Sequence, residues 1–193
     1  MELELTSERL LLRPFDSSDV ELAVEMTTDP EVMKYYSGAV SEAEVVDKAV
    51  NFNRRAGGGC IGIWTVLGRS TGERLGEVFL LPLPIEADDT EWDLVEGEAI
   101  PRGKIELGYL FKPSTWGKGV ATEACQRLLQ FAFEETPLDE ILAVIEEENV
   151  ASERVLLKCG FVYENIRRAY AMQLTSFRIT RNSWLQSKSV SHN

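Results

Sequence analysis

Two stretches of this chain follow one local plan: an apolar strand stops, a short loop turns, and an amphipathic helix begins. The first runs from Ile105-Glu-Leu-Gly-Tyr-Leu-Phe111 into Trp116-Gly-Lys-Gly-Val-Ala121, the second from Ile141-Leu-Ala-Val-Ile145 into Asn149-Val-Ala-Ser152. Strand–loop–helix units in succession constrain the chain to an α/β arrangement. In the first loop Gly117 and Gly119 lack a Cβ, so the backbone can take unusual φ and a ligand can approach bare amides. The helix behind it adds unpaired N-terminal N–H groups and the positive end of its dipole. Together these features mark a phosphate site.

A glycine-rich strand-to-helix turn with no ligand is the plain alternative, and other phosphate motifs must be weighed too. Gly57-Gly-Gly-Cys-Ile-Gly62 matches GxGxxG formally, but it follows a helical pattern and opens a strand, the reverse of a dinucleotide site. Gly117-Lys118 is followed by Gly119 where a P-loop needs Ser or Thr, and the earlier glycine is missing. Both classes are set aside. The one histidine, His192, lies in a polar tail expected to be mobile. Ser-His-Asp, Cys-His and histidine-metal chemistries therefore lack their central group, and no metal site is expected.

Composition narrows the partners. The chain of 193 residues is long enough for one domain with a good core, and 44% of it is hydrophobic. Lys and Arg number 20 against 32 Asp and Glu, a net charge of −12, which argues against a nucleic-acid binder. Taken alone, that charge reads first as keeping the protein soluble, with steering of cationic partners as the alternative. Three cysteines without CxxC spacing read as reduced thiols, and no apolar run reaches the ~20 residues of a membrane span. With no signal-peptide pattern at Met1-Glu-Leu-Glu, the expectation is a cytoplasmic protein.

Along the chain, Leu3–Arg13 reads as a first strand, and Ser18–Glu21 and Ser41–Glu44 fit capping boxes that open helices. Cys60–Leu67 and Leu75–Leu81 form a strand pair. Residues 82–103 read as an acidic loop or inserted lobe, since residues 86–98 hold seven acids and no base, with Trp92 and Leu94 expected to pack down. Strand Lys104–Phe111, helix Thr115–Phe133, strand Glu140–Ile145 and helix Val150–Cys159 follow, then strands Tyr163–Leu174 and Ser176–Trp184. The domain is expected over residues 1–186, with a flexible tail at 187–193.

Four ordered stretches carry a resemblance: Thr6-Ser-Glu-Arg-Leu-Leu-Leu-Arg-Pro14 with Asp19; Glu106-Leu-Gly-Tyr109 through Trp116-Gly-Lys-Gly-Val-Ala-Thr-Glu-Ala124; Asn149-Val-Ala-Ser-Glu-Arg154 through Lys158-Cys-Gly-Phe161; and Phe177-Arg-Ile-Thr-Arg-Asn-Ser-Trp184. Spanning nearly the whole chain, they make it resemble the GNAT superfamily of acetyl-CoA-dependent N-acetyltransferases, in particular the branch with the ribosomal-protein N-terminal-alanine acetyltransferases. The resemblance implies a single α/β domain with a mixed, bent sheet of six or seven strands flanked by helices and a splayed central strand pair. It implies that acetyl-CoA is the acyl donor. Its pyrophosphate would rest on Trp116, Gly117, Lys118, Gly119, Val120, Ala121 and Thr122. Its pantetheine arm would run along Leu110 and Phe111, with Asn149 and Ser152 close to the arm and the sulfur.

Acetyl transfer then requires a base for the amine, a donor for the developing oxyanion and an acid for the leaving thiolate. Glu106 is the base expected, through water; its alternative is an ordinary strand carboxylate. The backbone N–H near Leu110 is the oxyanion donor expected, and Ser152 the acid, with Tyr163 and Tyr170 as alternatives. Asn149 and Ser152 also fit a plain helix-capping role. Cys125 and Cys159 sit among apolar neighbours and read as packing rather than an acyl-cysteine nucleophile. The acceptor is a primary amine, on a peptide N-terminus or a small molecule, with cations favoured by the acidic segments; no DNA or membrane partner is expected, and the protein is a monomer or homodimer. The competing reading is a non-catalytic acyl-CoA sensor of the same fold.

Overall fold

The computed structural model describes residues 2–36 and 38–190. Its elements are β1 (Leu5–Thr6), β2 (Leu10–Pro14), α1 (Val20–Thr27), α2 (Glu42–Lys48), β3 (Gly62–Gly68), β4 (Arg74–Pro82), β5 (Ile105–Phe111), α3 (Val120–Glu135), β6 (Glu140–Ile145), α4 (Val150–Lys158), β7 (Val162–Ala169), β8 (Met172–Thr180) and α5 (Arg181–Val190). The strands form one sheet in the order β1-β2-β3-β4-β5-β6-β8-β7. Every pairing is antiparallel except that of β5 with β6. The mixed α/β sheet read from the sequence is present, with eight strands rather than six or seven. The expected first strand is interrupted by the turn at Ser7–Arg9, where the Ser7 amide donates to Leu10 O at 2.9 Å.

The pleat sorts side chains onto two faces. Trp64 and Val78 are cross-strand partners, and Trp64 meets Phe131 of α3 edge-on at 5.8 Å. Leu12, Val66, Leu80 and Leu107 share that face and are buried. The alternate residues face α1, where Leu110 packs against Leu22, Met26 and Val32. Helix α3 buries Val120, Ala124, Cys125, Leu128, Leu129, Phe131 and Ala132, the stripe expected for a core helix, at roughly 1.5–3 kcal/mol for each large side chain. It starts at Val120 rather than Thr115, because Pro113–Thr115 forms a separate 3-10 turn and Gly119 breaks from helical geometry.

Local chemistry accounts for the other boundaries. Ser41 and Glu44 form the expected capping box on α2. The box expected at Ser18 and Glu21 is replaced by one of Asp16 and Asp19, which caps the short 3-10 turn Ser17–Asp19 leading into α1. Buried Asp19 also takes both Arg13 guanidinium nitrogens and Arg74 Nε, each at 2.8 Å, which ties the start of α1 to β2 and β4. The acidic segment after β4 is pinned down: Trp92 stacks on Phe52 at 5.6 Å, Lys48 pairs with Asp89 at 2.6 Å, and Gly57 N–H donates to Ala99 O at 3.1 Å. Trp92 packs as expected, but its buried companion is Val95, while Leu94 stays exposed.

The last hairpin turns at Tyr170-Ala171, five residues earlier than the expected break at Thr175. β8 ends at Thr180, and α5 replaces the end of the expected strand Ser176–Trp184. Arg181 caps the end of α3 by donating to the carbonyls of Phe133, Thr136 and Leu138, while Trp184 rests on Phe133 at 5.7 Å. Helix α5 carries residues 187–190, which the sequence placed in a tail; His192 lies outside the described residues.

Candidate active site

The site begins where the central strands part. β5 and β6 share the single bridge Glu106↔Leu142, and beyond it β5 continues without a partner on that side. This is the expected splay. Which backbone groups it frees follows from the phase of the β4–β5 ladder. Lys112 N–H donates to Leu75 O at 3.0 Å and Leu83 N–H to Lys104 O at 2.8 Å. The even-numbered residues of β5, Leu110 among them, pair with β4 in that phase. The odd-numbered residues turn their N–H and C=O groups into the opening. In keeping with this, Tyr109 O accepts the Tyr36 hydroxyl at 3.0 Å, and Phe111 O accepts Trp116 Nε1 at 2.9 Å. The oxyanion role expected of the Leu110 N–H is therefore corrected: that amide is spent on β4, and the amides facing the opening are those of Tyr109 and Phe111.

A cleft of about 570 Å³ runs along this edge. Leu110, Phe111, Trp116, Gly117, Gly119, Val120, Ala121, Thr122, Asn149 and Ser152 line it, so the residues expected around a coenzyme meet on one wall. Lys118 does not line the cleft; its carbonyl accepts from Arg9 at 3.1 Å. Arg9 also pairs with Glu123 at 2.6 Å, fastening the β1–β2 turn to the first turn of α3. Gly117 and Gly119 have φ of +72° and +78°, left-handed values that glycine adopts freely, and with Val120 at the start of α3 they line the cleft. A Cβ on Gly117 would meet nothing within 4 Å, which leaves open space above the loop. Bare amides, a helix N-terminus, an unpaired strand edge and a long cleft fit the pyrophosphate and pantetheine of coenzyme A.

Asn149 caps α4 by accepting from the Ser152 amide at 3.1 Å, the plain alternative raised for it, and still lines the cleft. Ser152 O accepts the Tyr109 hydroxyl at 3.3 Å, which braces α4 against β5. Glu106 occupies the last paired position before the splay and is buried, with the Tyr170 hydroxyl donating to its Oε1. Burial pushes the Glu106 carboxyl up to about 8, against the pull of that hydrogen bond. The Tyr36 and Tyr170 phenols are raised by burial, with the Glu106 charge adding, and so stay protonated. Tyr163, the other alternative acid, stands exposed on β7 and does not line the cleft. Cys125 and Cys159 are buried, with the Cys159 thiol 3.7 Å from Thr122 O.

Several cleft residues carried no local signal in the sequence: Tyr35, Tyr36 and Lys34 arrive from the turn after α1, and Arg154 and Lys158 from the exposed face of α4. The adjacent aromatics Tyr35-Tyr36 were the one trace available.

A second buried acid lies one strand away. Glu77 sits opposite Leu110 and Thr65; its Oε1 and the Thr65 hydroxyl have no hydrogen-bond partner among the described residues. Burial, helped by the Asp19 charge, pushes Glu77 up to about 8. A carboxyl raised on folding stabilises fully below its unfolded value and loses that stability as pH rises to its folded value. Folding stability is therefore expected to fall as pH rises from 4.5 toward about 8, with Glu77 and Glu106 both contributing. Urea midpoints across that window check this: Glu77→Gln should remove about half the slope, and an unchanged slope contradicts the assignment.

Comparison with known proteins agrees with this geometry. Residues 9–162 match the model of the acetyltransferase (GNAT) domain family. YnaD of Bacillus subtilis, named as an uncharacterized N-acetyltransferase, is 31% identical over 158 residues, covering 82% of each chain. YkkB of the same organism is 31% identical over 169 residues, 86% of this chain and 90% of YkkB. The crystal structure of a GNAT-family acetyltransferase from Bacillus anthracis superposes with a TM-score of 0.71 at 25% identity, over 93% of this chain and 99% of that one. A domain match over most of the chain, on a fold whose splayed strand and glycine loop line one cleft, makes this protein a member of the GNAT family of acetyl-CoA-dependent N-acetyltransferases.

Proposed function

We propose that this protein moves an acetyl group directly from acetyl-CoA to a primary amine, with Glu106 taking the amine's proton. The observation that carries this is the position of Glu106: a buried carboxyl at the last paired residue before the bare edge of β5. Acetyl-CoA, when bound, supplies the acetyl thioester. The amides from Gly117 to Ala121 hold its pyrophosphate, and the freed β5 edge with Asn149 holds its arm. The N–H groups of Tyr109 and Phe111 offer donors to the acetyl carbonyl. Ser152 supplies the proton at the sulfur end. A carboxyl near 8 is matched to deprotonating an ammonium close to neutral pH. Direct transfer is supported by the packing of Cys125 and Cys159 away from solvent.

The acceptor end of the cleft holds Glu31, Lys34, Tyr35 and Tyr36, and the acidic segment after β4 lies beside the hairpin that contacts Glu106. We read the acceptor as a cationic amine. Solved structures of an aminoglycoside acetyltransferase and of a spermidine N-acetyltransferase from Vibrio cholerae share the fold at 15% and 18% identity, and their names suggest acceptors to try. The protein acts as a monomer or homodimer in the cytoplasm, a setting in keeping with three unpaired thiols. Among the described residues no helix is long and apolar enough to cross a membrane.

The test is release of free thiol from acetyl-CoA with spermidine, an aminoglycoside and peptides with free N-termini, alongside calorimetric binding of coenzyme A. Acetylation of at least one amine is expected. Tight coenzyme binding with no turnover on any acceptor would instead establish the non-catalytic sensor.

A further inference from the structure

We propose that Tyr170 is a positioning residue for acetyl transfer, held by a strained hairpin tip so that its hydroxyl fixes the Glu106 carboxylate at the mouth of the splay. This rests on the reading of Glu106 as the base. Tyr170 and Ala171 form the two-residue turn between β7 and β8 with φ of +52° and +55°. Both central positions of such a turn need left-handed φ, which Asn-Gly supplies cheaply and Tyr-Ala does not. Strain of this kind persists where surrounding structure over-determines it, and it gathers at functional sites.

Three contacts over-determine it here. The Tyr170 amide donates to Pro84 O at 3.1 Å, anchoring the tip to the chain after β4. Its ring packs with Leu83, Leu142 and Leu174. Its hydroxyl donates to Glu106 Oε1 across 64 positions of sequence. A hydroxyl committed in this way is not available as the acid for the departing thiolate, so Tyr170 leaves that list. What it does instead is hold one carboxylate oxygen and leave the other to the amine or a bridging water.

The charged and titratable groups around Glu106 are few. Tyr170 reaches it from the hairpin, and Tyr36 senses its charge from the turn after α1. Arg178, opposite Leu142 on β8, is committed to Glu140 and Glu164. Because the Tyr170 hydrogen bond favours the ionised carboxylate, removing it should raise the pH at which Glu106 ionises.

The test compares wild type with Tyr170→Phe, Ala171→Gly and Glu106→Gln, using pH profiles of kcat and 13C titration of the glutamate side-chain carboxyls, the Glu106 signal being the one absent in Glu106→Gln. Tyr170→Phe keeps the ring and should move both the Glu106 titration and the acid limb of kcat up by about one pH unit, cutting activity at pH 7 roughly ten-fold. KM for acetyl-CoA should stay put. Ala171→Gly relieves one left-handed residue and should raise Tm by about 2 °C without moving the limb. A Tyr170→Phe enzyme whose Glu106 titration is unmoved overturns the inference, even if its Tm drops, because packing alone would give that result. If Glu106→Gln keeps wild-type kcat and profile, the base assignment itself fails and takes this inference with it.

Discussion

Replacing Glu106 by glutamine is expected to lower kcat by roughly 10²–10⁴-fold, the range for loss of a positioned general base, with little change in coenzyme affinity. The reason lies in the geometry. Glu106 is buried at the β5–β6 bridge and does not line the wall that would hold the coenzyme. Glutamine preserves its volume and can still accept from Tyr170, so the fold should survive. The pH profile separates catalysis from damage. In wild type, activity needs the ionised carboxylate and should climb as pH rises toward about 8. In Glu106→Gln that dependence should vanish, and any limb that survives belongs to the amine acceptor. A glutamine variant with wild-type kcat would return Glu106 to the status of a structural carboxylate.

The second large effect is expected on binding. Gly119→Val should weaken coenzyme A binding by roughly 10²-fold or more, read by calorimetry. Space is not the obstacle, since a Cβ at Gly119 would find its nearest neighbour, Arg9 Nη2, at an ordinary 3.5 Å. Conformation is. Gly119 caps α3 at φ +78°, a region that costs an L-residue about 1–2 kcal/mol and a β-branched one more. Valine would be relieved by rotating the peptide, and that rotation withdraws amides from the anion. The thermal signature follows: saturating coenzyme at about 100 times Kd stabilises wild type by about 2.7 kcal/mol, and this gain should disappear in the variant. Gly117→Ala meets the same conformational cost at φ +72° but carries no β-branch, so it should weaken binding in the same direction by less. Equal binding by Gly119→Val and wild type would remove the loop from the coenzyme site.

The features legible in the sequence share a short range. The glycines of the loop, the α3 stripe from Val120 to Ala132 and the Ser41–Glu44 box each depend on residues within a few positions of one another. The features misread share a different property. The Tyr170-Ala171 turn has none of the usual turn residues, so local pattern puts the break at Thr175. Helix α5 reads locally as a strand end followed by a polar tail, because its anchors, Arg181 on the end of α3 and Trp184 on Phe133, are contacts between distant segments. No local pattern reveals which edge of a strand is free, so the sequence points to the Leu110 amide where the ladder leaves those of Tyr109 and Phe111 open.

By itself, then, the sequence determined a glycine loop at the head of a core helix, an α/β sheet, and the absence of any usable histidine among its candidate site residues. It also brought Glu106, Asn149 and Ser152 forward as chemistry-bearing residues. The tertiary structure decided which groups face the cleft. The phase of the β4–β5 ladder turned Tyr109 and Phe111 outward and Leu110 inward. The path of the final hairpin laid Tyr170 on Glu106, and the turn after α1 brought Tyr36 to Tyr109 O across 73 positions. Local preferences select helices, turns and caps over a few residues; strand register and long-range packing are settled by burial and hydrogen bonding summed over the whole domain, and the site is built from those.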